Sequence, residues 1–227
     1  MIAMHIKRVL GESELESINT ALQEQPFSYG AATAGQLARQ AKHNHELLSS
    51  SNADSTKLGK LVEQALRKHP AFDAWAMPHR ISTVLFNRYD TGMYYGDHID
   101  SALAQSTPSG YLRMDLAFTV FLSDPTAYDG GELVINSTTD RQTMKLPAGD
   151  ALVYPASTIH CVNKVTRGTR RAAVGWIESL VRDDARREIL FDLRVLNEAL
   201  LAKRDDTEAL VLLEKCRANL LRMWAEV

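Results

Sequence analysis

Three stretches of this chain carry side chains able to do chemistry together. In "YYGDHIDSA", residues 94–102, His98 and Asp100 stand two positions apart. In an extended chain the side chains at i and i+2 leave the same face, so this imidazole and carboxylate converge while Ile99 turns away. Such a pair grips a cation from one edge. The alternative is a solvated loop in which the two merely pair with each other. His160, in "YPASTIHCV", falls early in a predicted strand after the "PAGD" turn and is the candidate third ligand. Two imidazoles and one carboxylate form a donor set that suits mononuclear Fe(II) and leaves other coordination positions open, whereas zinc more usually takes four ligands, or three and a water. Read alone, His160 is a core histidine bonded to a backbone group.

Arg170 lies ten residues after His160, just beyond the Gly168 turn. A guanidinium aimed into an apolar interior is costly unless it meets an anion, and its planar fork suits a carboxylate held by two parallel hydrogen bonds. A dicarboxylate that chelated a metal with one end would need such a clamp for the other. The alternative is a solvated Arg170, like its neighbour Arg171. Strand alternation lets at most one of the two face inward.

These side chains need a scaffold, and the pattern of the chain changes character along its length. The chain has 227 residues, is 45% hydrophobic and 24% charged, and therefore fits one globular unit with a small extension. A formal net charge of -2 and a pI near 6.4 give no electrostatic reason to expect nucleic acid or an anionic membrane as a partner. The start, "MIAMHIKRVLGESELE", is too short in apolar residues for a signal peptide, and no apolar run is long enough for a membrane span. A cytoplasmic protein is expected. Cys161 and Cys216 form no C-x-x-C pair, so reduced thiols are expected.

In residues 1–79 two packing helices are predicted. One opens at the capping box "SELE" and carries Leu15, Ile18 and Leu22; the other follows Asp54, with Leu58, Leu61, Val62, Ala65 and Leu66 on one face. The stretch between them, with His43 and His45, reads as an exposed segment without a metal-binding role. From residue 80 to 180 the period shifts to two. The runs "RISTVLFNRY", "YLRMDLAFTVFLS", "GGELVIN", "RQTMKLPAGDALVYP", "STIHCVNKV" and "RRAAVGWIESL" are short, rich in β-branched and aromatic residues, and separated by turn residues. Runs of that kind without intervening helices argue for an antiparallel sandwich or barrel. From residue 181 to 227 the helical period returns in "RDDARREILFDLRVLNEALLAK" and "TEALVLLEKCRANLLRMWAEV", two helices joined near residues 204–206. That hairpin closes against the β core or against a second copy of the chain, which would make a homo-oligomer.

The H-x-D at His98 and Asp100, the distal His160 and Arg170 resemble the signature of Fe(II)- and 2-oxoglutarate-dependent dioxygenases of the prolyl 4-hydroxylase-like group. The likeness is closer still to the bacterial PKHD-type hydroxylases. "FNRYDTGMYYGDHIDSA", "FLSDPTAYDGGELVI", "KLPAGDALVYPASTIHCVNKVTRGTRRAAVGWIESLVRD", "FDL" and, upstream, "TAGQLARQAKHN" all read like that family's blocks, so the resemblance spans nearly the whole chain. It implies an α+β protein whose double-stranded β-helix (jelly-roll) core carries N-terminal packing helices and a C-terminal helical hairpin. It implies His98, Asp100 and His160 as Fe(II) ligands and catalytic residues, and Arg170 as the partner of the distal 2-oxoglutarate carboxylate. Tyr89 matches an aromatic that hydrogen-bonds this carboxylate in relatives, while Tyr95 and Trp176 fall where relatives place pocket residues; as inward aromatics all three also suit plain core filling.

The activity implied is hydroxylation of a C–H bond by O2, coupled to conversion of 2-oxoglutarate to succinate and CO2, with ascorbate as reductant. The substrate is a small molecule, with a metabolite of iron acquisition suggested by family association, or a prolyl or lysyl side chain of a protein. A non-catalytic iron or 2-oxoglutarate sensor and a cupin-like metal enzyme of another reaction class, for instance a zinc or manganese isomerase, are the competing classes; Arg170 and the lack of a fourth histidine disfavour the second. Gly130 and Gly131 mark either a tight backbone approach or a hairpin turn. Asp115 in "RMD" is either a support behind the ligands or a partner of Arg113. Cys161 is expected to point away from the site as a small buried residue.

Overall fold

The computed structural model describes residues 3–30, 38–48, 52–107, 110–136, 140–203 and 207–227. Its core is two antiparallel sheets laid face to face. The larger runs in the order β1 (Met4–Ile6), β14 (Ala151–Pro155), β10 (Leu116–Phe121), β17 (Thr169–Ser179), β6 (Leu85–Asp90), β4 (His45–Leu48) and β2 (Ser28–Tyr29), with β5 (Pro78–Ile81) pairing to the far end of β17. The smaller runs β13 (Arg141–Met144), β12 (Leu133–Asn136), β15 (His160–Val162), β7 (Tyr94–His98) and β3 (Lys42–His43). Two ribbons stand apart, one of β8 (Leu103–Thr107) with β9 (Gly110–Arg113), the other of β11 (Asp129–Gly130) with β16 (Val165–Arg167).

The centre of the larger sheet is buried on both faces, and the alternation of its side chains divides the interior in two. In β10, Leu116, Phe118 and Val120 pack against a helical layer, while Ala117 and Phe121 join Leu133, Ile135 and Val162 of the smaller sheet. The helical layer consists of α1 (Glu12–Gln23), α3 (Ala53–Lys68) and α4 (Pro70–Ala76), which contribute Ile18, Leu22, Leu58, Val62, Leu66, Phe72 and Trp75. The α1 and α3 side chains among them belong to the apolar stripes read from the sequence, whereas α4 with Phe72 and Trp75 was not expected; each buried aliphatic side chain contributes about 1.5–3 kcal/mol.

Several boundaries differ from those expected. α1 starts at Glu12 rather than after Ser13: Gly11 is its cap, and the Gly11 amide donates to the Glu14 carboxylate at 2.9 Å. In α3, Asn52 caps the helix, accepting from the Ser55 amide at 2.8 Å. The run 80–89 is divided between β5 and β6; at the division Ser82 donates its amide to the Trp176 carbonyl at 2.8 Å and accepts the Trp176 amide on its hydroxyl at 2.9 Å. The run 111–123 is divided at Met114 and Asp115. Asp115 accepts from the Arg113 Nε at 2.8 Å and from the Ser179 amide at 2.9 Å, so it is the structural partner of Arg113 and does not face the cavity described below.

Residues 1–79 also supply strands, which the sequence reading did not foresee. The stretch with His43 and His45, expected to be an exposed segment, is an antiparallel bridge between the two sheets. After the short α2 (Ala38–Ala41), β3 pairs with β7 on one side of Asn44 and β4 pairs with β6 on the other. Polar residues misled the reading because two of them, Lys42 and Glu46, are buried against each other.

The C-terminal helices are α5 (Asp184–Lys203) and α6 (Thr207–Trp224); the junction expected at residues 204–206 lies outside the described residues, as does part of the "TAGQLARQAKHN" block. α5 packs on α4 through the Trp75 and Phe191 rings, edge to face at 5.3 Å, and through Arg194 on Asp73 at 3.0 Å. The end of the chain is tied back by the Glu226 carboxylate, which meets Arg113 at 2.8 Å. The hairpin thus closes on its own chain, with Val211, Leu212 and Met223 left exposed.

Candidate metal centre

His98 ends β7 and His160 begins β15, and the two are direct cross-strand partners in the smaller sheet. Partners opposite one another project from the same face. Their ring centroids are accordingly 4.2 Å apart. Asp100, two residues past His98, brings its Oδ2 to 3.9 Å from the His160 Nε2. Candidate ligand atoms of His98, Asp100 and His160 all lie within 4.8 Å of one another, the one such cluster among the described residues.

Each imidazole is aimed by its own backbone. His98 Nδ1 donates to the Gly96 carbonyl at 2.8 Å and His160 Nδ1 donates to the Thr158 carbonyl at 2.9 Å. A carbonyl only accepts, so both protons sit on Nδ1 and both Nε2 lone pairs are left for an electrophile. Burial, and then the neighbouring His160, push the His98 imidazole down to about 3, which keeps it neutral at physiological pH. Burial raises Asp100 above the ordinary carboxylate range, an effect opposed by His160 and by the Trp176 indole facing it. Two imidazoles whose Nε2 atoms turn inward and one desolvated carboxylate, all converging, are a fit for a divalent cation: a positive charge there removes the penalty that burial places on Asp100.

The triad opens on a cavity of about 670 Å³ between the sheets. Arg170, Tyr89, Tyr95 and Trp176 all line it. Arg170 on β17 is the direct partner of Tyr89 on β6. Arg170 is 1% exposed, and its guanidinium sits 5.3 Å from the Tyr89 ring and 5.5 Å from the Phe121 ring. Its Nε has no hydrogen-bond partner, and among the described residues no carboxylate forms an ion pair with it. A buried cation in that state is a site for an incoming anion. Arg171, on the alternate face, is half-buried outside the cavity, as strand alternation predicts. Cys161 likewise faces away from the triad, with the Arg141 guanidinium on its Sγ at 3.3 Å.

Gly130 and Gly131 are a tight backbone approach. Both hold positive φ, at +71° and +66°. A Cβ on Gly130 would meet the Lys164 carbonyl at 2.1 Å, and one on Gly131 would meet the Arg170 Cδ at 3.2 Å. The sequence reading gave no role to the charged cavity residues Lys42 and Glu46, 5% and 4% exposed and joined at 2.5 Å. The only available signal was their i, i+4 spacing, which in a polar stretch suggests a helix surface rather than a buried pair across strands.

Residues 84–178 match the family model described as the 2OG-Fe(II) oxygenase superfamily, and residues 184–226 match that of the PKHD-type hydroxylase C-terminal domain. The chain is 44% identical over 224 residues to a PKHD-type hydroxylase of Hyphomonas neptunium, covering 98% of this chain and 99% of the relative. Among solved structures it resembles a 2OG-Fe(II) oxygenase-family oxidoreductase from Burkholderia pseudomallei, with a TM-score of 0.59 at 17% identity over 77% of this chain and 84% of that one. It also resembles a Trichoplax adhaerens prolyl hydroxylase solved with a hypoxia inducible factor peptide fragment, with a TM-score of 0.58 at 15% identity over 77% and 82% of the two chains. Likeness at such low identity is a likeness of fold, that of the double-stranded β-helix.

Proposed function

Because this chain belongs to the PKHD-type hydroxylases, 2-oxoglutarate-dependent dioxygenases that use Fe(II), we propose that His98, Asp100 and His160 hold the iron and that Arg170 takes the distal carboxylate of 2-oxoglutarate. The observation that carries this reading is the pairing of two complementary groups in one cavity: three converging donors at one place and, at another, a buried guanidinium with no carboxylate partner among the described residues. A dicarboxylate spans a metal and a cation; no monoanion answers both. When bound, iron and 2-oxoglutarate together supply the oxidative decarboxylation that lets O2 hydroxylate a C–H bond.

The work of the protein is binding, orientation and exclusion of water. Thr158 and Gly96 keep the two imidazoles turned so that Nε2 faces inward. Tyr89 and Phe121 shield the Arg170 guanidinium from bulk water, which strengthens its attraction for a carboxylate. Tyr89 and Tyr95 wall the co-substrate's side of the cavity, and burial keeps both phenols protonated well above physiological pH. Each therefore offers a donor and not a competing anion. Ascorbate serves as the reductant, the reaction takes place in the cytoplasm, and a small metabolite of iron acquisition is the first substrate class to test. The cavity volume supports a small molecule, or a single side chain, over a folded surface.

Gly131 offers a test of the carboxylate site apart from its charge. In Gly131→Ala a Cβ is forced against Val165 and the Arg170 stem at a left-handed φ, a strain of about 1 kcal/mol or more. The KM for 2-oxoglutarate in a succinate assay is expected to rise about fivefold, ~1 kcal/mol, through displacement of Arg170. An unchanged KM would mean that the guanidinium does not hold the co-substrate.

The overall reading is tested by aerobic incubation of the purified protein with Fe(II), 2-oxoglutarate and ascorbate, with and without a small-metabolite extract. Succinate is expected in both, and the extract is expected to yield a species heavier by one oxygen. Absence of succinate in both mixtures, despite a charge-transfer band with Fe(II) and 2-oxoglutarate under anaerobic conditions, would point instead to a sensor.

A further inference from the structure

We propose that Lys42, pinned by Glu46, is a positioning residue for the metal centre: it clamps the Tyr95 ring against His98. This inference rests on the reading of His98 as an iron ligand. Tyr95 and His98 stack with ring centroids 3.6 Å apart and planes within 12° of parallel. The Lys42 Nζ stands 5.2 Å from the centroid of the same Tyr95 ring. An imidazole stacked that closely occupies one face of the phenol, so sterically only the opposite face is open to an ammonium. Tyr95 is therefore held between the cation and the ligand ring, a favourable arrangement for a negative π face.

Two more contacts place the same short segment behind His98. Lys42 and Tyr95 are direct partners in the β3–β7 ladder, which fixes the height of the ammonium along β7. Ala41 lies so close to Gly96 that a Cβ on that glycine would come within 3.0 Å of the Ala41 Cβ. Gly96 supplies the carbonyl that orients the His98 Nδ1 proton. Residues 41–46 thus press on both supports of one ligand, its stacking partner and its hydrogen-bond acceptor. Glu46 on β4, partner of Asn87 in the larger sheet, anchors the Lys42 ammonium from across the sandwich. A desolvated ion pair is expensive and adds little stability over an apolar pair of the same shape, so its place beside a ligand points to geometry as its use.

The test measures Fe(II) binding to the full-length protein by anaerobic calorimetry, the visible band formed on adding 2-oxoglutarate, and the thermal unfolding of the metal-free protein. Lys42→Met keeps the stem and removes the charge. It is expected to weaken Fe(II) binding about tenfold, the scale for residues that orient ligands, and to shift or broaden the band. Lys42→Arg, which restores a cation over the ring, is expected to recover both. Wild-type affinity and band in Lys42→Met would overturn the proposal. So would a loss of affinity that merely follows lost thermal stability and is not recovered in Lys42→Arg. Should Lys42→Met fail to fold, Glu46→Gln unpins the same ammonium and is expected to change the band in the same sense; an unchanged band overturns the proposal. Wild-type protein that bound no Fe(II) would defeat the metal-centre reading itself, whereas normal wild-type binding beside an indifferent Lys42→Met would defeat this inference alone.

Discussion

Replacing His160 with alanine is expected to lower 2-oxoglutarate turnover by at least about a thousandfold, ~4 kcal/mol at the transition state. The fold should survive, because His160 faces a cavity rather than either apolar cluster and its strand is held by β12 and β7. What disappears is one of three donors, and the two that remain, His98 and Asp100, grip from one edge only. The loss should therefore show twice: succinate falls to the protein-free background, and the band seen with Fe(II) and 2-oxoglutarate under anaerobic conditions vanishes. Far-UV circular dichroism matching the wild type would complete the result. A His160→Ala protein that still turned over 2-oxoglutarate at the wild-type rate would remove His160 from the metal site.

Arg170→Met is expected to act in opposite directions on binding and on stability. Removing one partner of a buried, hydrogen-bonded charge pair typically costs 2–5 kcal/mol, so the KM for 2-oxoglutarate should rise by about a hundredfold, ~3 kcal/mol. The metal-free protein should meanwhile be no less stable, and gain if anything. In the absence of an anion, Arg170 is a desolvated cation whose Nε is unsatisfied. Methionine fills the space of the stem without that penalty, at the loss of a modest attraction to the Tyr89 and Phe121 rings. Thermal unfolding with and without 2-oxoglutarate distinguishes the two effects: the co-substrate should raise the transition of the wild type and leave that of Arg170→Met in place. A marked destabilisation of the metal-free variant, with KM unchanged, would make Arg170 a structural residue.

The site was legible from sequence where local geometry alone decides which way a side chain points. His98 and Asp100 share a face because two residues of extended chain return to the same side. Arg170 and Arg171 divide between inside and outside for the same reason, as does Cys161 beside His160. The apolar stripes of α1 and α3 likewise follow from a period of 3.6. The ambiguity at Asp115 was of another kind. Arg113 was the near partner that sequence offered, but the Ser179 amide that completes its environment comes from the end of β17, which only pairing brings alongside.

By itself, then, the amino-acid order determined the helices α1, α3, α5 and α6 and the strand-rich middle of the chain, the alternation that turns a strand's chemistry inward or outward, and the identity of four groups suited to a metal and a dicarboxylate. The tertiary structure alone decided which strands became neighbours. It set His160 opposite His98, buried Arg170 with no carboxylate partner among the described residues, and folded a polar stretch with Lys42 and Glu46 across both sheets into the cavity wall. The physical reason is one of range. Backbone periodicity acts over a few residues, whereas desolvation and the pairing of charges depend on segments far apart in the chain, and a lysine and a glutamate look solvated until the fold takes the water away.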